Sequence, residues 1–250
     1  MTGSLAATAP AMAANTAHHD VTRTAASAAF RPGGLFKAAP GTHSAIVNGH
    51  RVSYSTNWSG YAVTGSTYTT ATASWTQPAI DCTSGDGETD MSPWVGIDGY
   101  TSSTVEQTGS SGDCDGASPD YYAWYEMYPR NVIVINKTVD PGDQFTATVT
   151  HTSGTSYKLV LEDITQGWTN SVTKSLSAKD SSAEAVLEMA ASHLTKFSSD
   201  PFTGFTVDGS PAGSLSGNVQ MEIKVGSTVC DSTSALTNNE NFTVKWLAAC

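Results

Sequence analysis

The strongest constraint on the fold of this chain is an alternation of period two in three runs between residues 94 and 128. Successive side chains of a β-strand point to opposite faces, so Trp94 and Asp98 share a face, as do Val105 and Gln107. The third run places four side chains on one face, those of Tyr122, Trp124, Glu126 and Tyr128. A carboxylate between aromatic residues at this spacing is typical of a ligand groove or a buried ion pair, and three such runs in succession favour the groove.

Short alternating or apolar segments, separated by turn residues, continue through the rest of the chain. They lie at residues 54–63, 67–75, 132–135, 145–149, 157–164, 168–176, 202–207, 219–225 and 242–247. We expect 132–135 to be a buried run, 157–164 and 168–176 to form a hairpin, and 81–91 to be a loop. About a dozen short strands predict an all-β sandwich of two antiparallel sheets. The pattern leaves a helix open at 183–196.

The charge of the chain is divided unevenly. The first 50 residues contain Arg23, Arg31 and Lys37 against Asp20 alone, whereas the remaining 200 contain nine Lys or Arg against 22 Asp or Glu. This acidity argues against nucleic acid or an anionic membrane as a partner, and no run of eighteen apolar residues predicts a membrane span. It suits an acidic working environment, in which protonated carboxylates no longer repel one another.

We expect three parts along the chain. Residues 1–14 end in a small-x-small pattern and predict the remnant of a signal peptide or leader. Residues 15–50 lack periodicity and predict a pro-segment or a disordered leader. Residues 51–250 form the β domain. Near neutral pH the basic leader can pair with carboxylates of that domain and inhibit it, and the attraction fails as those carboxylates protonate near a pKa of about 4.

Four cysteines indicate an exported protein with two disulfides. They are Cys82, Cys114, Cys230 and Cys250. The sequence alone does not fix their connectivity, but sequential pairing would close two loops near strand ends and is the arrangement we expect. Neither C-x-x-C nor H-x-x-x-H spacing supports a zinc site, so we expect no metal. Composition and cysteines together predict a secreted, extracellular protein, and we expect a monomer.

Elimination leaves carboxylates and amides as the reactive groups. Outside the first 50 residues the histidines are His151 and His193, and neither lies near a G-x-S-x-G sequence or another recognisable nucleophile. No Asp-Thr-Gly or Asp-Ser-Gly sequence supports a paired-aspartate mechanism, and H-E-x-x-H is absent. We therefore expect no cofactor, and no serine, cysteine, aspartic or common zinc hydrolase.

Four motifs in order resemble the glutamic peptidases (the eqolisins, peptidase family G1). They are Trp94-Val-Gly-Ile-Asp98-Gly, Gln107-Thr-Gly109, Tyr122-Ala-Trp-Tyr-Glu126-Met-Tyr-Pro129 and Ala183-Glu184-Ala-Val-Leu-Glu188. Asn57-Trp-Ser-Gly also resembles the family's N-W-x-G start of the mature domain. The resemblance covers roughly residues 55–250. It implies an acid-acting endopeptidase on a lectin-like (concanavalin-like) β-sandwich, with polypeptide substrates and residues 51–250 as the catalytic domain.

The resemblance implies that Gln107 and Glu188 are the catalytic pair. A carboxylate of raised pKa can take a proton from water and then protonate the leaving nitrogen, while an amide NH₂ donates to the oxyanion. Glu184 and Glu188 share a face in a strand and lie four apart in a helix, so only the resemblance selects Glu188. In the same hypothesis, further residues support the pair or line the substrate cleft: Trp94, Asp98, Glu126, Trp124, Tyr122, Trp58 and Glu184.

Several of these supporting residues have structural alternatives. For Asp98 and Glu126 the alternative is hydrogen bonding within the sandwich, and for at least one of the aromatic residues it is core packing. The chain also departs from the family pattern twice. Ala185 stands where an aromatic residue is usual, and Ser111 stands where the family has an Asp four positions after the Gln. Asp113 would replace that Asp if the loop were two residues longer.

Two other classes of protein fit paired Glu residues in an aromatic groove. A retaining glycoside hydrolase holds two carboxyl groups about 5–5.5 Å apart. A lectin-like carbohydrate-binding module on the same fold would have no catalysis. Gln107 discriminates, because acyl transfer needs an oxyanion donor and glycoside hydrolysis does not.

Overall fold

The computed structural model describes residues 35, 37, 39, 44–47, 50–83, 88–190 and 193–250. The predicted leader boundary at residue 14, with Arg23 and Arg31, lies outside these residues. In the described ranges almost all regular structure is β-strand, and one turn of 3₁₀ helix lies at Ala212–Ser214. None of the described residues belongs to a helix with the length and apolar character needed to span a bilayer.

The strands, in chain order, are β1 Ala45–Val47, β2 His50–Ser55, β3 Trp58–Thr64, β4 Thr70–Thr76, β5 Ile80–Asp81, β6 Glu88–Ile97, β7 Val105–Asp115, β8 Ser118–Tyr128, β9 Ile133–Ile135, β10 Gln144–Ser153, β11 Ser156–Asp163, β12 Trp168–Ser175, β13 Ser182–Glu188, β14 Lys196–Phe197, β15 Asp200–Val207, β16 Ser210–Pro211, β17 Asn218–Val225, β18 Thr228–Val229, β19 Asp231–Thr233 and β20 Phe242–Trp246.

Two large sheets confirm the predicted sandwich. In the described part of the chain, the first sheet has the order β1-β2-β17-β3-β13-β6-β7-β8-β9, with β18 beside β17. The second has the order β12-β11-β10-β4-β15-β20-β19, with β16 beside β15, and β14 and β5 form a small pair. Neighbouring strands are antiparallel, apart from β2 and β17, which are parallel. The predicted hairpin is confirmed as β11 and β12.

The core lies between the two sheets and follows from the alternation along each strand. In β10 the alternate residues Phe145, Ala147 and Val149 are fully buried, as predicted. The Trp75 and Phe145 rings stack at 5.5 Å between centroids. The indole N–H of Trp75 donates to Ser110 Oγ at 2.9 Å, so a hydrogen bond joins the sheets through the core. Burial of this apolar layer is the main source of stability.

Several local predictions are corrected. Residues 182–188 form a strand and not a helix, because β13 pairs on both sides, with β3 and with β6. The segment 54–63 is divided between β2 and β3, because the chain passes from one side of β17 to the other. The predicted loop ends early, since β6 begins at Glu88. Residues 84–87 of that loop lie outside the described residues.

The predicted burial of residues 132–135 is wrong in part. Ile133 and Val134 are 47% and 44% exposed, whereas Ile135 is buried. They belong to β9, a three-residue strand at the edge of the first sheet. An edge strand has a neighbour on one side alone, so its apolar residues are covered less completely than their types suggest.

Two disulfides have the predicted connectivity. Cys82 is bonded to Cys114 and Cys230 to Cys250, and among the described residues no cysteine is free. The first bridge ties the loop after β5 to the end of β7. The second joins the residue before β19 to the segment after β20. Both therefore fasten strand ends, as expected from their positions in the sequence.

Candidate active site

The four motifs lie on neighbouring strands, β13, β6, β7 and β8, of the first sheet. Cross-strand pairing arranges their residues in three rows: Glu184–Gly96–Gln107–Glu126, Val186–Trp94–Gly109–Trp124 and Glu188–Ser92–Ser111–Tyr122. Paired residues point to the same face of a sheet. Ala183, Ala185 and Leu187 point into the core, so the three rows lie on the outer face of this sheet.

Glu188 lies at the end of β13 and accepts hydrogen bonds on both carboxylate oxygens. Asn57 Nδ2 donates to Oε1 at 3.3 Å, and Trp94 Nε1 donates to Oε2 at 3.0 Å. The side chain is 2% exposed. Two N–H donors suit an ionised carboxylate, which can accept hydrogen bonds and cannot donate them. Asn57 was absent from the predicted site, and its one signal in the sequence was the N-W-x-G resemblance.

Gln107 is held by Glu126 on the next strand. Its Nε2 donates to Glu126 Oε2 at 2.8 Å, which fixes the orientation of the amide because the carboxylate only accepts. Both side chains are buried. The Nε2 atom carries a second N–H, and Oε1 has no hydrogen-bond partner among the described residues. The amide is therefore oriented but keeps capacity for a ligand.

Glu184 completes the row of Gln107, but its electrostatic setting differs from that of Glu188. Complete burial raises the pKa of Glu184 well above its ordinary value, the Ser182 hydroxyl lowers it, and the charges of Asp98 and Glu106 raise it further. Glu184 is consequently protonated in acid. A protonated carboxyl cannot accept a proton from water.

The indole of Trp94 lies between the row of Gln107 and Glu188. A Cβ added at Gly96 would lie 2.8 Å from ring atom Cζ3 of Trp94, so the ring covers this glycine. A Cβ at Gly109 would lie 2.6 Å from the Cβ of Trp94. On its other side the ring meets Trp58 edge-on, with 5.0 Å between centroids. The two glycines provide the close approach that seats the indole beside Glu188.

The four aromatic residues predicted for the cleft lie together on the outer face. Trp58, Trp94, Tyr122 and Trp124 belong to one apolar cluster with Val186, Val105, Ala62 and Met221. This aromatic cluster is distinct from the core between the sheets. All four rings are buried, with exposures of 7% or less. Each of the four therefore flanks the carboxylate face and not the core.

A pair of hydroxyls fills the position where the resemblance leads one to expect an Asp. Ser111 Oγ lies 2.7 Å from Ser92 Oγ and accepts the indole N–H of Trp124 at 3.0 Å. Asp113 lies two residues farther along the same strand and accepts from the Tyr122 hydroxyl at 2.7 Å. The prediction that Asp113 replaces this Asp through a loop two residues longer is wrong. Residues 107–113 lie within the strand β7, which pairs with β8 without a shift from Val105 to Asp115.

Asp98 fixes a neighbouring turn. Its Oδ2 accepts from the backbone N–H groups of Lys179 and Asp180, and its Oδ1 accepts from the N–H and hydroxyl of Ser181. The strand ends at Ile97, and Asp98 has a φ of 72°, which turns the chain toward that segment. These contacts match the structural alternative for this residue.

The carboxylates of this face do not form a metal centre. Asp90, Asp113 and Asp120 pair in register across β6, β7 and β8. Within the ranges that the structure describes, however, no group of three or more His, Cys, Asp or Glu side chains could hold a metal ion. No residue is therefore assigned as a metal ligand.

A two-sheet sandwich with a Gln–Glu pair and a separate Glu on one outer face is the arrangement expected of a glutamic peptidase. Residues 56–246 match the Peptidase A4 family. The chain belongs to this family. The predicted resemblance to glutamic peptidases is thereby confirmed.

Individual relatives agree with this assignment. The chain is 36% identical to scytalidopepsin B of Scytalidium lignicola over 137 residues, which cover 54% of the chain and 50% of the relative. It is 34% identical to aspergillopepsin-2 of Aspergillus niger over 133 residues, 46% of the chain and 47% of the relative. These matches span about half the length of each relative.

Solved structures of glutamic peptidases resemble most of the chain. Scytalido-glutamic peptidase bound to a transition state analogue inhibitor has a TM-score of 0.66 and 26% identity, over 77% of this chain and 98% of that chain. Aspergilloglutamic peptidase from Aspergillus niger has a TM-score of 0.53 and 28% identity, over 63% and 99%. Both confirm the predicted fold.

Proposed function

We propose that this protein is a secreted, metal-independent acid endopeptidase with Glu188 as general base and Gln107 as oxyanion donor. The observation that carries the proposal is the difference between the two glutamates of β13. Glu188 accepts two N–H groups, whereas Glu184 is fully buried with a raised pKa. Family membership and the inhibitor-bound relative support peptide bonds as the substrate.

The first chemical step is attack of water on the peptide carbonyl. Glu188 takes a proton from the water while the water oxygen bonds to the carbonyl carbon, and the carbonyl oxygen becomes an oxyanion. The unused N–H of Gln107 Nε2 donates to that oxyanion, while Glu126 holds the amide in place. One donor of this kind contributes about 10²–10³ in rate, or roughly 3–4 kcal/mol.

The second step breaks the carbon–nitrogen bond. The proton now on Glu188 passes to the leaving nitrogen, which departs as an amine, and the carboxylate is regenerated. The base must be ionised at the start of the cycle, so activity falls in strong acid. The acidity of residues 51–250 suits an acidic working environment, so we expect activity to fall toward neutral pH as well. A bell-shaped profile with its maximum below about pH 5 is the expected result.

Export and storage as a zymogen form part of this proposal. Two disulfides suit an oxidising, extracellular environment. The net basic first 50 residues precede an acidic domain, and we assign them as a pro-segment. The remaining partner assignment is a monomer that binds polypeptides and neither nucleic acid nor membrane.

The decisive experiment compares Glu188→Gln, Gln107→Ala and Glu184→Gln at about pH 4 with a denatured protein as substrate. The first two variants should lose at least 100-fold in kcat while keeping the wild-type circular dichroism spectrum. Glu184→Gln is the matched control, because it replaces a neutral carboxyl on the same strand with a neutral amide, and we expect it to remain within a few-fold of wild type.

Several results would contradict the proposal. One is more than about a tenth of wild-type kcat in Glu188→Gln or Gln107→Ala. Another is full activity at pH 8, or loss of activity on adding EDTA. The third is cleavage of a polysaccharide but not of protein, which would indicate the glycoside hydrolase instead, and binding without cleavage would indicate the lectin-like module.

A further inference from the structure

Leu35, Lys37 and Ala39, which belong to the predicted leader, lie beside the site. Ala39 N–H donates to Tyr54 O at 3.0 Å, and Thr56 N–H donates to Lys37 O at 2.7 Å. These two bonds join Ala39 to Tyr54 and Lys37 to Thr56, which is the antiparallel sense. An extended segment bound by main-chain hydrogen bonds is the mode by which many proteins capture a peptide at a sheet edge.

Side chains of the same segment enter two apolar environments. Leu35 packs against the aromatic cluster that contains Trp58 and Trp94. Ala39 is buried with Val52 and Tyr54. The side chain of Lys37, between them, is exposed. The contacts of this segment are therefore apolar and main-chain, whereas the one basic side chain within it points to solvent.

Asn57 joins this segment to the carboxylate assigned as the base. Its Oδ1 accepts the N–H of Lys37 at 2.9 Å, and its Nδ2 donates to Leu35 O at 3.0 Å. The same Nδ2 donates to Glu188 Oε1 at 3.3 Å. A single carboxamide thus contacts the leader backbone on both sides of residue 36 and also holds Glu188.

We propose that residues 54–57 and the aromatic cluster form a peptide-binding site that the leader fills in the full chain. Once the leader is removed, the site takes an extended substrate segment with an apolar side chain in the position of Leu35. The inference rests on the proposed peptidase activity. The described contacts that hold the leader are backbone and apolar ones, and the side chain of Lys37 is exposed.

The test uses three variants of the full chain. Leu35→Asn removes the apolar contact with the aromatic cluster. Lys37→Pro removes the N–H that donates to Asn57. Lys37→Ala is the matched control, because it removes the charge but keeps that N–H. Two quantities are measured: hydrogen exchange of the Thr56 amide, and the time course of peptide cleavage after a jump to pH 4 alongside the intact mass.

Leu35→Asn and Lys37→Pro should increase exchange at Thr56 at least tenfold and abolish the lag before cleavage begins. Lys37→Ala should keep both the slow exchange and the lag of wild type. Loss of the lag in Lys37→Ala alone would overturn the proposal in favour of charge. Equal lags in all variants, or an uncut wild-type chain that is active at once, would also overturn it. If no variant cleaves peptide at any pH, the peptidase proposal fails, while Thr56 exchange still reports whether the leader is docked.

A synthetic peptide of residues 33–41 tests the second part of the proposal, that the same site binds substrate once the leader is removed. It should inhibit the acid-processed protein competitively against a peptide substrate, and the Leu35→Asn peptide should bind about tenfold more weakly, as expected for partial loss of a buried leucine. Equal inhibition by both peptides, or inhibition that is not competitive, would show that the site does not belong to the substrate.

Discussion

The indole N–H of Trp94 donates to Oε2 of Glu188 at 3.0 Å, while the ring of Trp94 covers Gly96, the residue paired with Gln107. One side chain therefore spans the distance between the two residues assigned to catalysis. Its position depends on glycines at 96 and 109, where any side chain would collide with the tryptophan. Trp94 is thus a positioning residue for the carboxylate.

Trp94→Phe should lower kcat about tenfold or more and leave KM within about twofold, since a hydrogen bond to a charged group contributes roughly 1.5–3 kcal/mol. Because that bond favours the ionised form, the acid limb of the activity profile should also move to higher pH. Trp168→Phe is the control, since it removes an indole N–H on β12 of the second sheet, which donates to Thr138 O. An unchanged pH profile would mean that the indole only fills space.

Glu126→Gln should reduce kcat by about tenfold or more through Gln107. An amide at position 126 can donate as well as accept, so the orientation of the Gln107 amide would no longer be fixed by its partner. Since the oxyanion exists only after attack, the loss should appear in kcat with KM little changed. A rise in KM at constant kcat would instead place Glu126 in substrate binding.

Local sequence patterns predicted the strands of the site and their faces. The period-two alternation in Trp94–Asp98 and Tyr122–Tyr128 is a property of each strand by itself, so it can be seen without partners. Sequential disulfide pairing was also predicted. For residues 183–188, however, alternation of small apolar residues and the spacing of Glu184 and Glu188 fitted both a strand and a helix. Pairing of this segment with β3 and β6 shows that it is a strand.

The alternation within single strands could not predict the register between strands or the contacts between distant residues. That Gln107 lies opposite Gly96 and Glu126 depends on how three strands align, which no one of them encodes. The bond from Asn57 to Glu188 joins residues 131 positions apart. Asp98 fitted a cleft by its motif, but its partners are the backbone N–H groups of residues 179–181 and the Ser181 hydroxyl, more than 80 positions away.

Removal of either disulfide should destabilise the domain by a similar amount. The bridges span 32 and 20 residues, and loops of this size contribute about 3–4 kcal/mol each in the chain-entropy description. We expect Cys82→Ser/Cys114→Ser and Cys230→Ser/Cys250→Ser to lower the free energy of unfolding by that order in urea at pH 4.5. A loss below about 1 kcal/mol in both would show that packing alone fastens these strand ends.

Buried carboxyl groups should make the fold more stable in acid than near neutral pH. Burial raises the pKa of Glu106 to about 9, with the charges of Asp98 and Asp180 adding to the rise, and burial raises that of Asp231 to about 7. The ordinary values for these groups are 4.5 and 3.8. Between each pair of values the folded chain retains a proton that the unfolded chain has lost. Stability is therefore complete below the lower value and declines as pH rises toward the higher one.

The free energy of unfolding, measured with urea from pH 4 to 8, should consequently fall with rising pH, with a slope of about 1.4 kcal/mol per pH unit for each such proton. Glu106→Gln removes one of these titrations, so its slope between pH 5 and 8 should be shallower than that of wild type by up to this amount. Glu162→Gln is the control, because it makes the same substitution at an exposed position. A Glu106→Gln slope that matches wild type would mean that Glu106 is already ionised in the folded protein, and a stability that rises from pH 4 to 8 would contradict acid stabilisation as a whole.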